Sequence, residues 1–371
     1  VVLNSLFLNI LATALSFVTV LVTVPHILKV ARAKKLFDIP DERKIHKNEI
    51  PSLGGLAIFL GFIVSVTFFT DDINFARLKY IILGITLMLI IGLKDDLIGI
   101  SARKKFCIQL LAASMIILLG NVRLTNLHGL FGFYEVHAII GGILTLFVLL
   151  ALINAFNLID GIDGLAAGLA MLASAAFGTW FLLAGSVTYA TVSFALLGSL
   201  GGFFLYNVFG HKNKLFMGDT GSLFVGLIIA ILVVKFNEFN LAGTHSYVLN
   251  SAPAISFAVV IVPLVDVLRV IVIRLLKGQS PFAPDRNHIH HRMLELVPHH
   301  LYATLIIIVV NVFLINLALI FNFMAFNITI QFLGILITGI TLSFVPSLLI
   351  RKKLQKKEAW MDQVEYKTWP D

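Results

Sequence analysis

Long apolar runs separated by short polar joints follow one another along almost the whole chain, at 2–24, 52–70, 80–94, 106–120, 138–156, 165–184, 188–209, 220–236, 251–274, 302–323 and 328–350. Lipid offers no partner to backbone N–H and C=O groups, so such a run is satisfied only when it closes its own hydrogen bonds as a helix. The pattern therefore predicts an all-α polytopic membrane protein with about eleven transmembrane helices. The third and fourth runs lie near the lower length limit for a span. Pro253 and Pro263 are expected to kink the ninth, because proline removes a helical N–H and crowds the turn before it. The small residues Gly198 to Gly202 predict close helix packing. One transmembrane domain over 1–350 and a basic cytoplasmic tail over 351–371 account for the chain. The first run lacks a basic leader and a small-residue cleavage site, so it reads as a retained helix, and a residue or more is expected ahead of Val1.

Composition agrees with this solvent. Hydrophobic residues make up 58% and charged residues 13% of 371, against roughly 45–50% and 25% in soluble domains. The single cysteine, Cys107, lies in an apolar run, which excludes a disulfide framework and a cysteine metal site. The 31 phenylalanines are scattered and read as packing or lipid-facing residues.

Charge sets the orientation. All but four of the 28 lysines and arginines fall on one set of connections and the tail, the exceptions being Arg77, Lys79, Arg123 and Lys235. Basic loops stay in the cytoplasm, so the N-terminus is expected outside and the C-terminus inside. The net charge of +8 is then a property of the cytoplasmic surface, suited to anionic lipid heads and phosphates. Nucleic acid is not an expected partner, because the basic residues lie at membrane level with no reading module.

The unusual polar residues all fall on that basic side. Asp95-Asp96 closes a helix, where two carboxylates face each other and the negative end of the helix dipole, an arrangement a hard divalent cation would relieve; a solvated acidic loop is the plain alternative. In Asn154-x-x-Asn157-x-x-Asp160-Gly-Ile-Asp163-Gly164, amide and carboxylate heads recur every third residue, so several can reach one cavity. Capping of the next helix explains Asp163 alone. Phe216-Met-Gly-Asp219 opens another helix, with Asp219 either an N-cap or an oxygen ligand for Mg²⁺, and with Phe216 and Asn207 as aromatic and amide anchors. Pro284-Asp285-Arg286-Asn287-His288-Ile289-His290-His291-Arg292 offers donors matched to a diphosphate. Zinc is disfavoured there for want of cysteine or a second histidine cluster. Arg43, Lys44, His46 and Lys47, ahead of Pro51 and Gly54-Gly55, read either as a lipid-phosphate site or as a topology signal.

Together these motifs resemble, in order and spacing over nearly the full chain, the polyprenyl-phosphate N-acetylhexosamine-1-phosphate transferases (glycosyltransferase family 4). The His288-Ile289-His290-His291-Arg292 segment resembles the WecA/TagO branch, which moves N-acetylglucosamine-1-phosphate from its UDP form to undecaprenyl phosphate. In the MraY branch, which uses UDP-MurNAc-pentapeptide, three histidines run together, whereas Ile289 interrupts them here. The resemblance implies a Mg²⁺-dependent enzyme of the bacterial cytoplasmic membrane, with Mn²⁺ as a substitute ion. It implies Asp219, with Asp96, as metal ligands, and Asn157, Asp160, Asp163, Asn207 and Phe216 around the nucleotide. It also places Asp95 and Asp96 at the reacting lipid phosphate, and Lys105, His46, Lys47, His288, His290, His291 and Arg292 around the phosphates. The expected partners are a UDP-N-acetylhexosamine, undecaprenyl phosphate and membrane lipids; whether two copies pair as a homodimer is left open. Direct attack of the lipid phosphate on the sugar-bearing phosphorus is the expected chemistry, with a two-step route through a phosphorylated aspartate as the alternative. An ion-coupled transporter is the competing class, but transporter acids tend to lie near the bilayer midplane rather than at helix ends.

Overall fold

The computed structural model describes residues 2–36, 50–241, 247–279 and 287–367. The described chain runs α1 (Val2–Lys34), α2 (Gly54–Phe69), α3 (Asp72–Ile98), α4 (Ala102–Leu118), a hairpin of β1 (Asn126–Leu130) and β2 (Phe133–Glu135), α5 (Ala138–Ile159), α6 (Leu165–Leu183), α7 (Val187–Phe209), α8 (Gly218–Phe239), α9 (Ala252–Val259), α10 (Ile261–Leu276), α11 (Ile289–Leu296), α12 (His300–Phe323) and α13 (Ile328–Lys367). The apolar runs fall in helices, the ninth in two, so the chain is a polytopic, mostly helical membrane protein. Among the described residues, seven helices (α1, α5, α6, α7, α8, α12 and α13) are long and apolar enough to cross a bilayer, and the pair α9–α10 makes an eighth if counted as one span. Helix α2 has only 16 residues and α4 only 17. Helix α3 has 27 residues and carries Lys94, Asp95 and Asp96 in its last turns.

Helix α8 is apolar on every side and buried from Thr220 to Val234, which makes it the central element. Other helices reach it closely where side chains are missing. A Cβ on Gly55 of α2 would lie 2.1 Å from the backbone N of Gly221, and one on Gly92 of α3 would lie 2.4 Å from the carbonyl O of Asp219. The first turn of α8 is thus wedged between α2 and α3. The expected close approach at Gly198 is also present, on α1: a Cβ there would sit 2.2 Å from Ser16 Oγ.

The ninth run is broken, not merely kinked. Helices α9 and α10 meet at 76°. Pro263 has no N–H for the carbonyl of Val259, four residues back. Buried Asn311 of α12 supplies the missing donor, its Nδ2 lying 3.2 Å from Val259 O and 3.3 Å from Ala258 O. Pro25 in α1 is treated the same way: Tyr206 of α7 donates its hydroxyl to Leu21 O at 3.2 Å. Both repairs keep a backbone carbonyl satisfied where water is scarce.

Because consecutive long helices alternate in direction, the C-terminal ends of α3, α5, α7 and α10 and the N-terminal ends of α4, α6, α8 and α12 gather at one end of the bundle. The β hairpin lies at the other, where Thr125 is tied to Glu238 at the end of α8 by 2.7 and 2.8 Å hydrogen bonds.

Candidate functional site

The polar cluster grows from the α3–α8 contact. Asp95 and Asp96 are adjacent but diverge. Both oxygens of Asp96 point at the start of α8, accepting from the backbone N–H of Asp219 (3.0 Å), that of Thr220 (2.9 Å) and the Thr220 hydroxyl (2.5 Å). A helix start leaves its first N–H groups without helical partners, and here a carboxylate from another helix provides them. Asp95 instead accepts from the Ile100 N–H at 2.6 Å and pairs with Lys105 at 2.5 Å.

Lys105, in the first turn of α4, is the hub. Its ammonium also bonds the carboxylate of Asp219, so two acids from α3 and α8 converge on one cation. The other oxygen of Asp219 accepts from Asn157 Nδ2 at 2.7 Å, and the same amide donates to Ser222 Oγ at 2.9 Å. The segment ahead of α2 closes this corner: Phe216 N–H donates to Pro51 O (2.9 Å), and Gly54 and Gly55 donate to Phe216 O and Met217 O (2.8 and 2.9 Å). The glycines therefore serve backbone pairing with the α8 start. The basic residues expected beside them, His46 and Lys47 included, lie outside the described residues.

The every-third-residue run divides among several partners. Asn154 turns to α4 and exchanges amide hydrogen bonds with Gln109 (3.0 and 3.5 Å). Asn157 joins Asp219. Asp160 ends α5 and is half-buried among acids: burial first, then Asp219, Asp96 and Asp163, push its carboxyl up to about 8. Asp163, in the turn before α6, binds Lys214 at 2.6 Å and His300 at 3.0 Å. Asn207 holds the same turn from α7, accepting from Gly164 N–H at 2.6 Å and donating to Leu215 O at 2.9 Å. Lys214 lies 5.7 Å from the ring centroid of half-buried Phe216.

The histidine segment forms the start of α11 and reaches the same turn. A Cβ on Gly161 would fall 2.1 Å from His290 Nε2, so only glycine lets the ring lie there. His290 is 2% exposed, and burial holds its ring near pKa 3, hence neutral. Among the described residues its Nδ1 has no hydrogen-bond partner. His291 packs against it with centroids 4.3 Å apart, and His288 stacks parallel at 5.6 Å. Arg292 is held by Asn287 Oδ1 (2.6 Å) and Glu295 (3.2 Å). Pro284, Asp285 and Arg286 lie outside the described residues.

The structure thus brings Asp95, Lys105, Asn157 and Asp219 to one point, with Asp160 close enough to feel their charge. It puts Asp163, Asn207 and Phe216 on an adjoining wall and His288, His290 and His291 beyond the Gly161 turn. Three partners went unread in the sequence. Lys214 was counted only as a topology charge, although Asp163 needs a cation once buried. His300 is hidden as the first residue of an apolar helix. Asp266, the buried partner of His288, looks like an ordinary charge within an apolar run.

Among the described residues, no three histidine, cysteine or acidic side chains gather as a metal-binding group. Mg²⁺ does not require one: it is usually held by one or two carboxylates together with substrate phosphates and water. Asp95 and Asp219, which converge on a single cationic group, supply that type of donor set.

Comparison with known proteins shows the family. The family described as glycosyl transferase family 4 matches residues 78–237, which hold Asp95, Lys105, the Asn154 to Asp163 run and Asp219. A probable undecaprenyl-phosphate N-acetylglucosaminyl 1-phosphate transferase of Bacillus subtilis is 31% identical over 306 residues, covering 81% of this chain and 82% of the relative. The undecaprenyl-phosphate alpha-N-acetylglucosaminyl 1-phosphate transferase of Haemophilus influenzae is 37% identical over 265 residues, 70% of this chain and 72% of its own. That of Escherichia coli K12 is 29% identical over 270 residues, with 72% and 71% covered. With its acids, lysine and histidines gathered at one end of a helical membrane bundle, and with relatives of this identity over most of its length, the chain belongs to glycosyl transferase family 4, the polyprenyl-phosphate N-acetylhexosamine-1-phosphate transferases.

Proposed function

We propose that the protein transfers N-acetylglucosamine-1-phosphate from UDP-N-acetylglucosamine to undecaprenyl phosphate and releases UMP, the first step of an envelope polysaccharide. The observation that carries this reading is the convergence of Asp95 and Asp219 on Lys105 at the end of the bundle where the basic residues lie. Such a site can gather phosphate groups that would otherwise repel one another. The relatives' names supply the lipid and the sugar. By the positive-inside rule this end faces the cytoplasm, where a soluble nucleotide sugar is available and the inner leaflet presents the lipid phosphate.

Asp219, with Asp95, would hold Mg²⁺, whose chemistry here is to offset phosphate charge. Asp96 is better cast as the brace that fixes the start of α8, since both its oxygens already accept backbone and hydroxyl donors. Lys105 orients the phosphates. Phe216 offers a half-buried ring face to the uracil, and Asp163 with Lys214 bounds the nucleotide wall. His288, His291 and Arg292 face the diphosphate as donors, while neutral His290 shapes the Gly161 turn.

In a single displacement, an oxygen of the lipid phosphate forms a bond to the sugar-bearing phosphorus as that phosphorus releases the oxygen of UMP. A phosphate monoester has a second pKa near 6, so the nucleophile is already largely ionised at neutral pH. Ile289, between His288 and His290, separates this chain from the pentapeptide-using branch. A panel of UDP-sugars tests the choice: UMP release in detergent should require polyprenyl phosphate and divalent cation and be greatest with UDP-N-acetylglucosamine. Preference for UDP-MurNAc-pentapeptide would overturn it.

A further inference from the structure

Asp266 sits on α10, in its second turn after the break at Val260, and is 0% exposed. A carboxylate is almost never buried so completely unless its oxygens are paired. Both are. Oδ1 accepts from the backbone N–H of Ile289 at 2.7 Å, and Oδ2 lies 2.8 Å from Nδ1 of His288. The first contact caps α11, whose own cap residue, His288, makes no side-chain capping bond. The second fixes the His288 ring, which then stacks on His290, the residue that fills the space above Gly161. One turn further along α10, Arg269 donates to Asn287 O at 2.8 Å and pins the backbone just before His288.

We propose that Asp266 is a positioning residue of the transferase site: its carboxylate, held behind His288, keeps the ring hydrogen on Nδ1 and turns Nε2 toward the sugar diphosphate. The inference rests on the proposed function, in which His288 meets a phosphate oxygen. A carboxylate behind an imidazole selects the tautomer and offsets the charge that develops when the ring donates from both nitrogens. The bond to the phosphate then gains charge assistance, which makes it about twice as strong as a neutral one.

Asp266→Asn separates this role from capping. The amide oxygen can still accept from Ile289 N–H, but the amide NH₂ then faces Nδ1, which must become an acceptor. The ring hydrogen moves to Nε2, and the ring donates only as a neutral group. Asp266→Asn should keep the thermal midpoint of the wild type and lower kcat/KM for UDP-N-acetylglucosamine by roughly 10–100-fold, the usual effect of losing a residue behind a functional histidine. His288→Gln should show a similar loss, and the double variant should be no worse than His288→Gln alone. An equal further loss from Asp266→Asn in the His288→Gln background would make Asp266 merely structural and overturn the proposal.

A second readout does not depend on turnover. With ¹⁵N-labelled histidine, the His288 signal of the wild type should carry its hydrogen on Nδ1, and Asp266→Asn should move it to Nε2. An unchanged signal overturns the positioning role. If the wild type instead releases no UMP while the signal shifts as expected, it is the proposed function that fails and the Asp266–His288 device that stands.

Discussion

Asp96 grips Thr220 twice, through its backbone N–H at 2.9 Å and its hydroxyl at 2.5 Å, so the helix that carries Asp219 begins where α3 ends. The two aspartates therefore predict different phenotypes. Asp219→Asn should abolish divalent-dependent turnover while leaving the thermal midpoint close to that of the wild type. Asp96→Ala should lower turnover by roughly 10–100-fold and also lower the midpoint, because the first turn of α8 loses its cap. Turnover and melting of both variants in detergent check this; a stable, fully active Asp96→Ala would remove the brace.

Lys105 holds Asp95 and Asp219 together by neutralising both. Replacing it with glutamine leaves two facing acids without a counter-charge, so the pair should take up a divalent ion more readily even as catalysis falls. Mn²⁺ binding followed by electron paramagnetic resonance should tighten by roughly tenfold, with turnover reduced by about 10²-fold or more. Weaker Mn²⁺ binding would place the ion elsewhere.

Asp160 is pushed up to about 8 by burial and by three neighbouring acids. Between its ordinary pKa of 3.8 and that value the folded chain binds more protons at this site than the unfolded chain, so the group costs stability progressively as pH rises through the window. Asp160→Asn should therefore raise the thermal midpoint of the unliganded protein at pH 8 by a few degrees, on the order of 1 kcal/mol for a chain of this size, while reducing activity. An unchanged or lower midpoint would contradict the electrostatic reading of this turn.

His290 behaves in the opposite sense. Its ring is held neutral to about pH 3, whereas a histidine in the unfolded chain protonates near 6.5. The unfolded state binds the extra proton in that interval, so the contribution of His290 is complete above pH 6.5 and is lost as pH falls toward 3. His290→Gln, which keeps shape without titrating, should flatten the fall in thermal midpoint between pH 6.5 and 4.5. The same acid slope in both proteins would show that another group sets it.

Much of this site was legible because its chemistry sits at helix ends, where polar residues interrupt apolar runs. Asp95, Asn157 and Asp219 were singled out by residue pattern and Lys105 through the family resemblance, and the four meet in space. What stayed hidden needed a third dimension. The division of labour between Asp95 and Asp96 depends on how α3 crosses α8 at Gly92, which no spacing rule encodes. His300 and Asp266 act through partners 137 and 22 positions away in sequence. Among the described residues seven helices pass on both length and apolar content, because apolar content alone does not make the short α2 and α4 into full spans. Helices α1 and α13 run past their apolar limits, to Lys34 and Lys367, since a helix need not stop where its hydrophobic pattern does. Helix α11 was missed because it is only eight residues long, half of them polar.

The central claim is phosphoryl transfer at the sugar-bearing phosphorus, and isotope tracing tests it most directly. Purified protein is given UDP-N-acetylglucosamine labelled in the phosphate next to the sugar, together with undecaprenyl phosphate and Mg²⁺. The account predicts that all transferred label enters the lipid as a sugar diphosphate while the released nucleotide is unlabelled UMP. Label leaving as UDP, or no label in lipid at all, would contradict it.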